Sequence, residues 1–257
     1  MITLTTDFGL KDPYVAEMKG VILSINPKAL IIDITHDVEK FNIRMGAFML
    51  ASAAPYFPKG TINIAVIDPG VGTKRRAIII QTKKDYFIGP DNGVLMLAAH
   101  NHGIEHIYQI TNQKYSLLNI SNTFHGRDIF APAAAHLNKG TDPSEFGPEI
   151  TDTTRPAFTA IDNKDGILIG EILHVDGFGN LITNLNQQAL LQAKTVKINL
   201  HHVSLQLELA KTYAQTKPQE PLALIGSHGF LEIALNQANF AEKHRVRAGD
   251  RIEVIPT

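Results

Sequence analysis

The chain contains no cysteine, which excludes disulfides, thiolate zinc sites and a cysteine nucleophile. Charge of either sign is not in excess. The formal net charge is -1, so neither a nucleic-acid footprint nor a polybasic membrane surface is expected. No apolar run reaches the roughly 18 to 20 residues of a membrane span. The opening M-I-T-L-T-T-D-F-G has no basic segment followed by a long apolar one, so no signal peptide is expected and the expected location is cytoplasmic. There is no G-x-G-x-x-G fingerprint for a dinucleotide, no G-K-[ST] of a Walker loop and no H-E-x-x-H zinc motif.

What is present is a chain of 257 residues with 44% hydrophobic content, enough to bury a sizeable core in one large or two moderate domains. The first half alternates strand-like and helix-like segments. Residues 2–5, 29–34, 61–67 and 105–110 read as strands, the second of them buried, and 77–82 with 86–88 as a hairpin. Residues 14–25 have apolar side chains at helical spacing (Val15, Met18, Val21, Ile22, Ile25). Helices are also expected over 43–54, with Met45, Phe48, Met49 and Ser52 on the packing face, and over 94–101 and 129–137. This βαβ rhythm predicts a mostly parallel, Rossmann-like sheet with helices on both faces, which binds ligands at the carboxyl ends of its strands. Prolines, glycines and charges crowd the stretch that follows, and short strands dominate beyond it. The expectation is an α/β domain over 1–150, a linker over 151–165 and a smaller β-barrel domain over 166–257.

Two polar strings stand out. V-I-D-P-G-V-G-T (66–73) closes a strand, and its glycines allow backbone N–H groups to approach a ligand. Asp68 at that strand end could orient a water, and Arg75 follows within one short loop. T-F-H-G-R-D (123–128) opens a helix. Its His125 could act as a general base, because its unperturbed pKa lies near working pH. Asp128 could equally cap the helix. Asp7, at the end of the first strand, could bind a sugar diol or simply cap a turn. In V-D-G-F-G-N (175–180), Asp176 can take an ammonium, Phe178 can stack on a heterocycle and Asn180 can read an amide-like edge. A plain D-G turn with a core Phe178 fits as well. Ser227, in G-S-H-G (226–229), could hold a carboxylate or belong to an ordinary β-turn. The eleven histidines include a group at His100, His102 and His106 and an adjacent pair at His201 and His202. Neither has ligand spacing: a pair adjacent in a strand would face opposite ways. No metal site is expected.

The conjunction T-T-D-F-G, D-P-G-V-G-T-x-R, T-F-H-G-R-D and D-G-F-G-N-x-x-T-N resembles the S-adenosyl-L-methionine (SAM) hydroxide adenosyltransferases, relatives of the enzymes that make 5'-fluoro- and 5'-chloro-5'-deoxyadenosine. The resemblance runs over nearly the whole chain. It implies an N-terminal α/β domain, a C-terminal β-barrel and a homotrimer with substrate at subunit interfaces. It implies hydrolysis of SAM to adenosine and L-methionine, with SAM as substrate and no cofactor. The family's catalytic Asp, Arg and His fall on Asp68, Arg75 and His125, and its ribose-binding acid on Asp7. The residues for adenine and the methionine end fall on Asp176, Phe178, Asn180 and Ser227; Phe124 is expected in the same substrate-binding set. Where this chain has Asp68 the halogenating relatives carry a non-acidic aromatic. Where it has His125-Gly126 the fluorinating enzyme has Tyr-Ser. Where it has His228 they have an Arg near the methionine carboxylate. Two other readings of the residues are a module that binds or senses adenosine or SAM without catalysis, and a SAM-dependent methyltransferase, although the Gly-rich first loop common in the latter is lacking.

Overall fold

The computed structural model describes residues 1–201 and 203–257. It divides into two compact units, Met1–Arg155 and Pro156–Thr257.

The first unit is built on a sheet of six strands: β1 (Ile2–Thr6), β2 (Ile31–Thr35), β3 (Ile62–Val66), β4 (Ala77–Thr82), β5 (Tyr86–Pro90) and β6 (Ile104–Gln109), in the order β2-β1-β3-β5-β4-β6. The pairs β2/β1, β1/β3 and β3/β5 are parallel, and β4 runs antiparallel to both of its neighbours. Helices α1 (Tyr14–Ile25) and α4 (Ala131–Asn138) pack together on one face, with Val15, Met18 and Ile22 in the core; α2 (Ile43–Ala53) and α3 (Met96–His102) pack together as a second pair. Covered on both faces, β1 and β3 are buried along their whole length, as their unbroken apolar and threonine character requires. The chain passes from β1 to β2 on one side and then to β3 on the other. The carboxyl ends of β1 and β3 therefore flank a topological switch point, where such sheets bind ligands.

Three expectations are corrected here. The strand expected over 29–34 is β2, and it is only half-buried, because it is an edge of the sheet. Helix α2 buries Gly46, Ala47, Leu50 and Ala51 together with Phe48, rather than the stripe through Met45, Met49 and Ser52. Small side chains let it approach the sheet more closely than bulky ones would. The helix expected at 129–137 begins earlier and wider: Gly126–Phe130 form a π-helical turn, with Ala131 N–H bonded to the Gly126 carbonyl, before α4 continues. Pro132 accounts for the disturbance. It has no N–H to offer Asp128 four residues back, and its ring crowds that carbonyl.

In the second unit, β8 (Ile167–Val175), β9 (Leu181–Asn186), β10 (Thr195–Leu200), β11 (Val203–Ala210), β12 (Pro221–Ile225), β13 (Phe230–Leu235) and β14 (Arg251–Pro256) form a closed seven-stranded barrel, sealed by the β14/β8 pairing. The short β7 (Asp162–Lys164) adds to the outside of β8. The long β8 serves two neighbours, β14 with its first half and β9 with its second. Leucine, isoleucine and valine fill the interior. Strand β13 and the one-turn helix α5 (Phe240–His244) were not expected from the sequence. F-L-E-I-A-L is buried at every position and so shows no alternation. The stretch 151–165 is not bare connection: Asp152 pairs with Arg76, Thr154 N–H bonds to Asp91, and β7 lies within it.

Candidate active site

The switch point holds a cleft of about 560 Å³, lined by residues that include Asp7, Phe8, Tyr14, Asp68, Phe124 and His125. Every lining residue belongs to the first unit.

Asp68 lies just beyond the end of β3. Its carboxylate accepts Arg75 Nε at 2.9 and 3.0 Å and Arg75 Nη2 at 2.5 Å. The two side chains are 5% and 10% exposed, so the pair is shielded from water and from salt screening. The Arg75 guanidinium also lies 5.2 Å from the centre of the Phe130 ring. On its other side, Arg75 Nη2 is 2.8 Å from His125 Nδ1. A guanidinium only donates, so Nδ1 must carry the lone pair. The neutral ring then bears its proton on Nε2. Burial and the Arg75 charge push the His125 pKa below its ordinary value, against the opposing pull of Asp68 and Asp128.

Two glycines make this meeting sterically feasible. Gly72 has φ +76°, and a Cβ there would come within 2.2 Å of the Asn122 carbonyl oxygen. The loop after β3 thus packs directly on the segment that leads into His125. At Gly126 a Cβ would crowd Phe124, Met18 and Val66 at 3.2 to 3.5 Å, so the His125 turn sits on α1 and β3 without a spacer.

Asp7 is buried at the end of β1, and its Oδ2 accepts Phe41 N–H at 2.8 Å. The Lys40 ammonium bonds to the Asp7 carbonyl. Phe41 adopts φ +64° and leaves its ring 69% exposed, a strained backbone at the cleft edge. Phe8, Tyr14 and Phe124 meet edge to face at 5.2 to 5.8 Å and form an aromatic wall. Lys40, Phe41, Tyr14, Glu17 and Arg127 also line the cleft. Arg127 lies within the T-F-H-G-R-D string, and Tyr14 and Glu17 belong to the first turn of α1. Nothing local marks Lys40 and Phe41, which arrive from the segment after β2.

The other four expected residues lie in the barrel unit. Asp176 closes the β8–β9 hairpin: Oδ1 accepts N–H of Phe178 and of Asn180, each at 2.9 Å, and Oδ2 accepts Asn180 Nδ2 at 3.0 Å. Phe178 is 80% exposed, so it is not the core residue that the D-G turn reading required. Asn180 is buried, and Ser227 is exposed in the β12–β13 turn. Beside it, His228 Nδ1 accepts Phe230 N–H at 3.2 Å, which leaves Nε2–H to face Glu232 at 3.3 Å. Glu232 also accepts the Tyr213 hydroxyl at 2.5 Å. Burial and the Glu232 carboxylate raise the Tyr213 pKa.

Among the described residues no three His, Asp or Glu converge as a metal would require. His102 faces Asp85 and His106 faces Glu149. His201 lies in the turn after β10 with φ +51°, outside any strand, and pairs with Asp250. Its neighbour His202 lies outside the described residues.

A switch-point cleft with a buried carboxylate–guanidinium–imidazole cluster is the construction of a small-molecule α/β enzyme. Comparison with known proteins gives the family. Residues 2–147 match the SAM hydroxide adenosyltransferase N-terminal domain, and residues 170–253 match its C-terminal domain. A protein of Methanocaldococcus jannaschii named (R)-S-adenosyl-L-methionine hydrolase is 37% identical over 99% of this chain and 95% of its own length. One of the same name from Salinispora tropica is 36% identical over 98% and 97%. The crystal structure of an uncharacterized conserved protein from Thermotoga maritima superposes with a TM-score of 0.86 at 39% identity, covering 99% of both chains. The chain belongs to the SAM hydroxide adenosyltransferase family.

Proposed function

We propose that the protein hydrolyses SAM to adenosine and L-methionine by attack of water, or its hydroxide, at C5'. The observation that carries this reading is the Arg75 guanidinium, locked by Asp68 and capped by His125 Nδ1. Family membership and the names of its relatives support the substrate, with the (R) sulfonium epimer as the form turned over.

The leaving group is a neutral thioether, so it needs no general acid. The difficulty lies with the nucleophile. As the C5'–O bond forms and the C5'–S pair withdraws onto sulfur, the attacking water becomes strongly acidic, so a carboxylate suffices to take its proton. Asp68 lines the cleft and fills that role. His125 presents Nε2–H as a donor to the nucleophile's oxygen. With Nδ1 occupied by Arg75, His125 orients the water; it could accept a proton only by breaking that contact. Arg75 stays cationic and supplies fixed positive potential for a nucleophile with hydroxide character. Near in-line positioning contributes on the order of 7–11 kcal/mol.

In this reading Asp7 binds the ribose diol, Phe124 packs on the substrate, and Asp176, Phe178, Asn180 and Ser227 hold adenine and the methionine end. The enzyme is a cytoplasmic homotrimer with its sites at subunit interfaces, and it uses no cofactor. Incubation with SAM in ¹⁸O-water tests the reaction. Adenosine labelled at O5', together with methionine, is the expected result. S-Adenosylhomocysteine would mean methyl transfer, and bound, unturned ligand would mean a binding protein; either overturns the reading.

A further inference from the structure

Asp128, fully buried (0% exposed), directly follows the cleft-lining Gly126 and Arg127, and the reaction above gives it no task. Its Oδ2 accepts Ser121 N–H at 2.7 Å. Arg127 Nε lies 2.7 Å from Oδ1, and Arg127 Nη2 lies 3.3 Å from Oδ2. Its main-chain carbonyl, which Pro132 cannot use, accepts Leu117 N–H at 2.9 Å. One residue therefore ties down both ends of the 117–121 segment. Asn122, the next residue, carries the carbonyl that Gly72 packs against. Arg127 is in turn held by Glu17 of α1 at 2.8 Å and lies over the Phe124 ring at 5.0 Å.

We propose that Asp128 is a positioning residue that clamps the 117–123 loop to the His125 turn against the Gly72 loop, and so sets the Arg75–His125 contact on which water attack depends. This rests on the SAM-hydrolysis reading. A burial cost this large is tolerated only when the charge is paired and hydrogen-bonded, and here every partner belongs to a segment of the cleft. The charges bearing on His125 are Arg75, which lowers its pKa, and Asp68 and Asp128, which raise it. From α1, Glu17 is paired with Arg127 and adds little net field.

The test is Asp128→Asn, which keeps the volume and an oxygen for Ser121 but removes the charge. We expect kcat for SAM hydrolysis to fall by about 10²-fold, as for a small misplacement of reacting groups, with KM close to that of the wild type. The ¹⁵N shifts of the His125 ring should show the single Nε2–H tautomer of the wild type giving way to a mixture of both tautomers, because Arg75 no longer holds Nδ1 as an acceptor. Wild-type kcat, or a loss of activity with the single tautomer retained, would overturn the proposal; the second outcome would make Asp128 merely structural. If the wild type does not hydrolyse SAM but D128N still shows the mixture, the reaction fails and the positioning stands. Should D128N not fold, the wild-type Ser121 amide decides. Slow exchange, like that of α4, supports the clamp, and exchange at open-loop rates overturns it.

Discussion

The two units present polar groups by different means. In the sheet unit, the candidate site side chains sit at or near the carboxyl ends of buried parallel strands and are held by a buried ion pair and the hydrogen bond it supports: Asp68 on Arg75, and Arg75 on His125. In the barrel unit they sit on hairpin turns and are held by backbone geometry: Asp176 on the N–H groups of Phe178 and Asn180. The first arrangement fixes charges in a sheltered place, which suits a reacting centre. The second fixes shape and leaves the Phe178 ring open to solvent, which suits recognition. If this division is right, substitutions in the sheet unit should act on kcat and those in the barrel on KM.

The largest effect is expected for Arg75→Ala. It removes the fixed positive charge, frees His125 Nδ1 and leaves Asp68 buried without its partner. Steady-state kinetics should show kcat lowered by about 10²–10³-fold or more, and calorimetry a stability loss of about 3–5 kcal/mol. A variant with kcat near wild type would break the comparison. Gly72→Ala comes next, because it forces a Cβ against the Asn122 carbonyl at a positive φ. A cost of about 1–3 kcal/mol in denaturant midpoint is expected, together with a lower kcat. Asp176→Ala should loosen the hairpin turn by about 1 kcal/mol and raise KM for SAM more than it lowers kcat; the reverse split would argue against a recognition role. Phe178→Ala should leave stability within about 0.5 kcal/mol, since the ring is exposed, while raising KM.

pH sharpens the same contrast. Burial lowers the pKa values of His102, His125, His136 and His174. A histidine whose folded pKa lies below its unfolded value contributes full stability above about pH 6.5, and that contribution is lost as pH falls below it. Unfolding midpoints should therefore decline between about pH 6.5 and pH 5, before the lowered carboxylates Asp33 and Asp250 begin to titrate. Activity should show an acid limb below the ordinary histidine range. There His125 gains a proton on Nδ1 and repels Arg75. A flat profile down to about pH 5 would remove His125 from the reaction.

The alternation of strand and helix, the parallel sheet, the β-rich second half and the motifs that carry Asp7, Asp68, Arg75 and His125 were legible in the chain itself. Hydrophobic periodicity and glycine spacing are local properties, and the motifs were specific enough in conjunction to point to the family. Local pattern could not reveal β13, whose two buried faces erase the alternation, or the half-exposure of β2, which follows from its place at the sheet edge. Nor could it reveal the π-helical turn, which depends on where the carbonyl freed by Pro132 finds Leu117. The tautomer of His125 was equally out of reach, because it is decided by Arg75, fifty residues earlier in the chain. Sequence determined which chemical groups this protein owns and which elements carry them. Only the tertiary structure decided which atoms face each other, because hydrogen-bond partners, burial and the pKa shifts they cause are set by contacts between segments far apart in the chain.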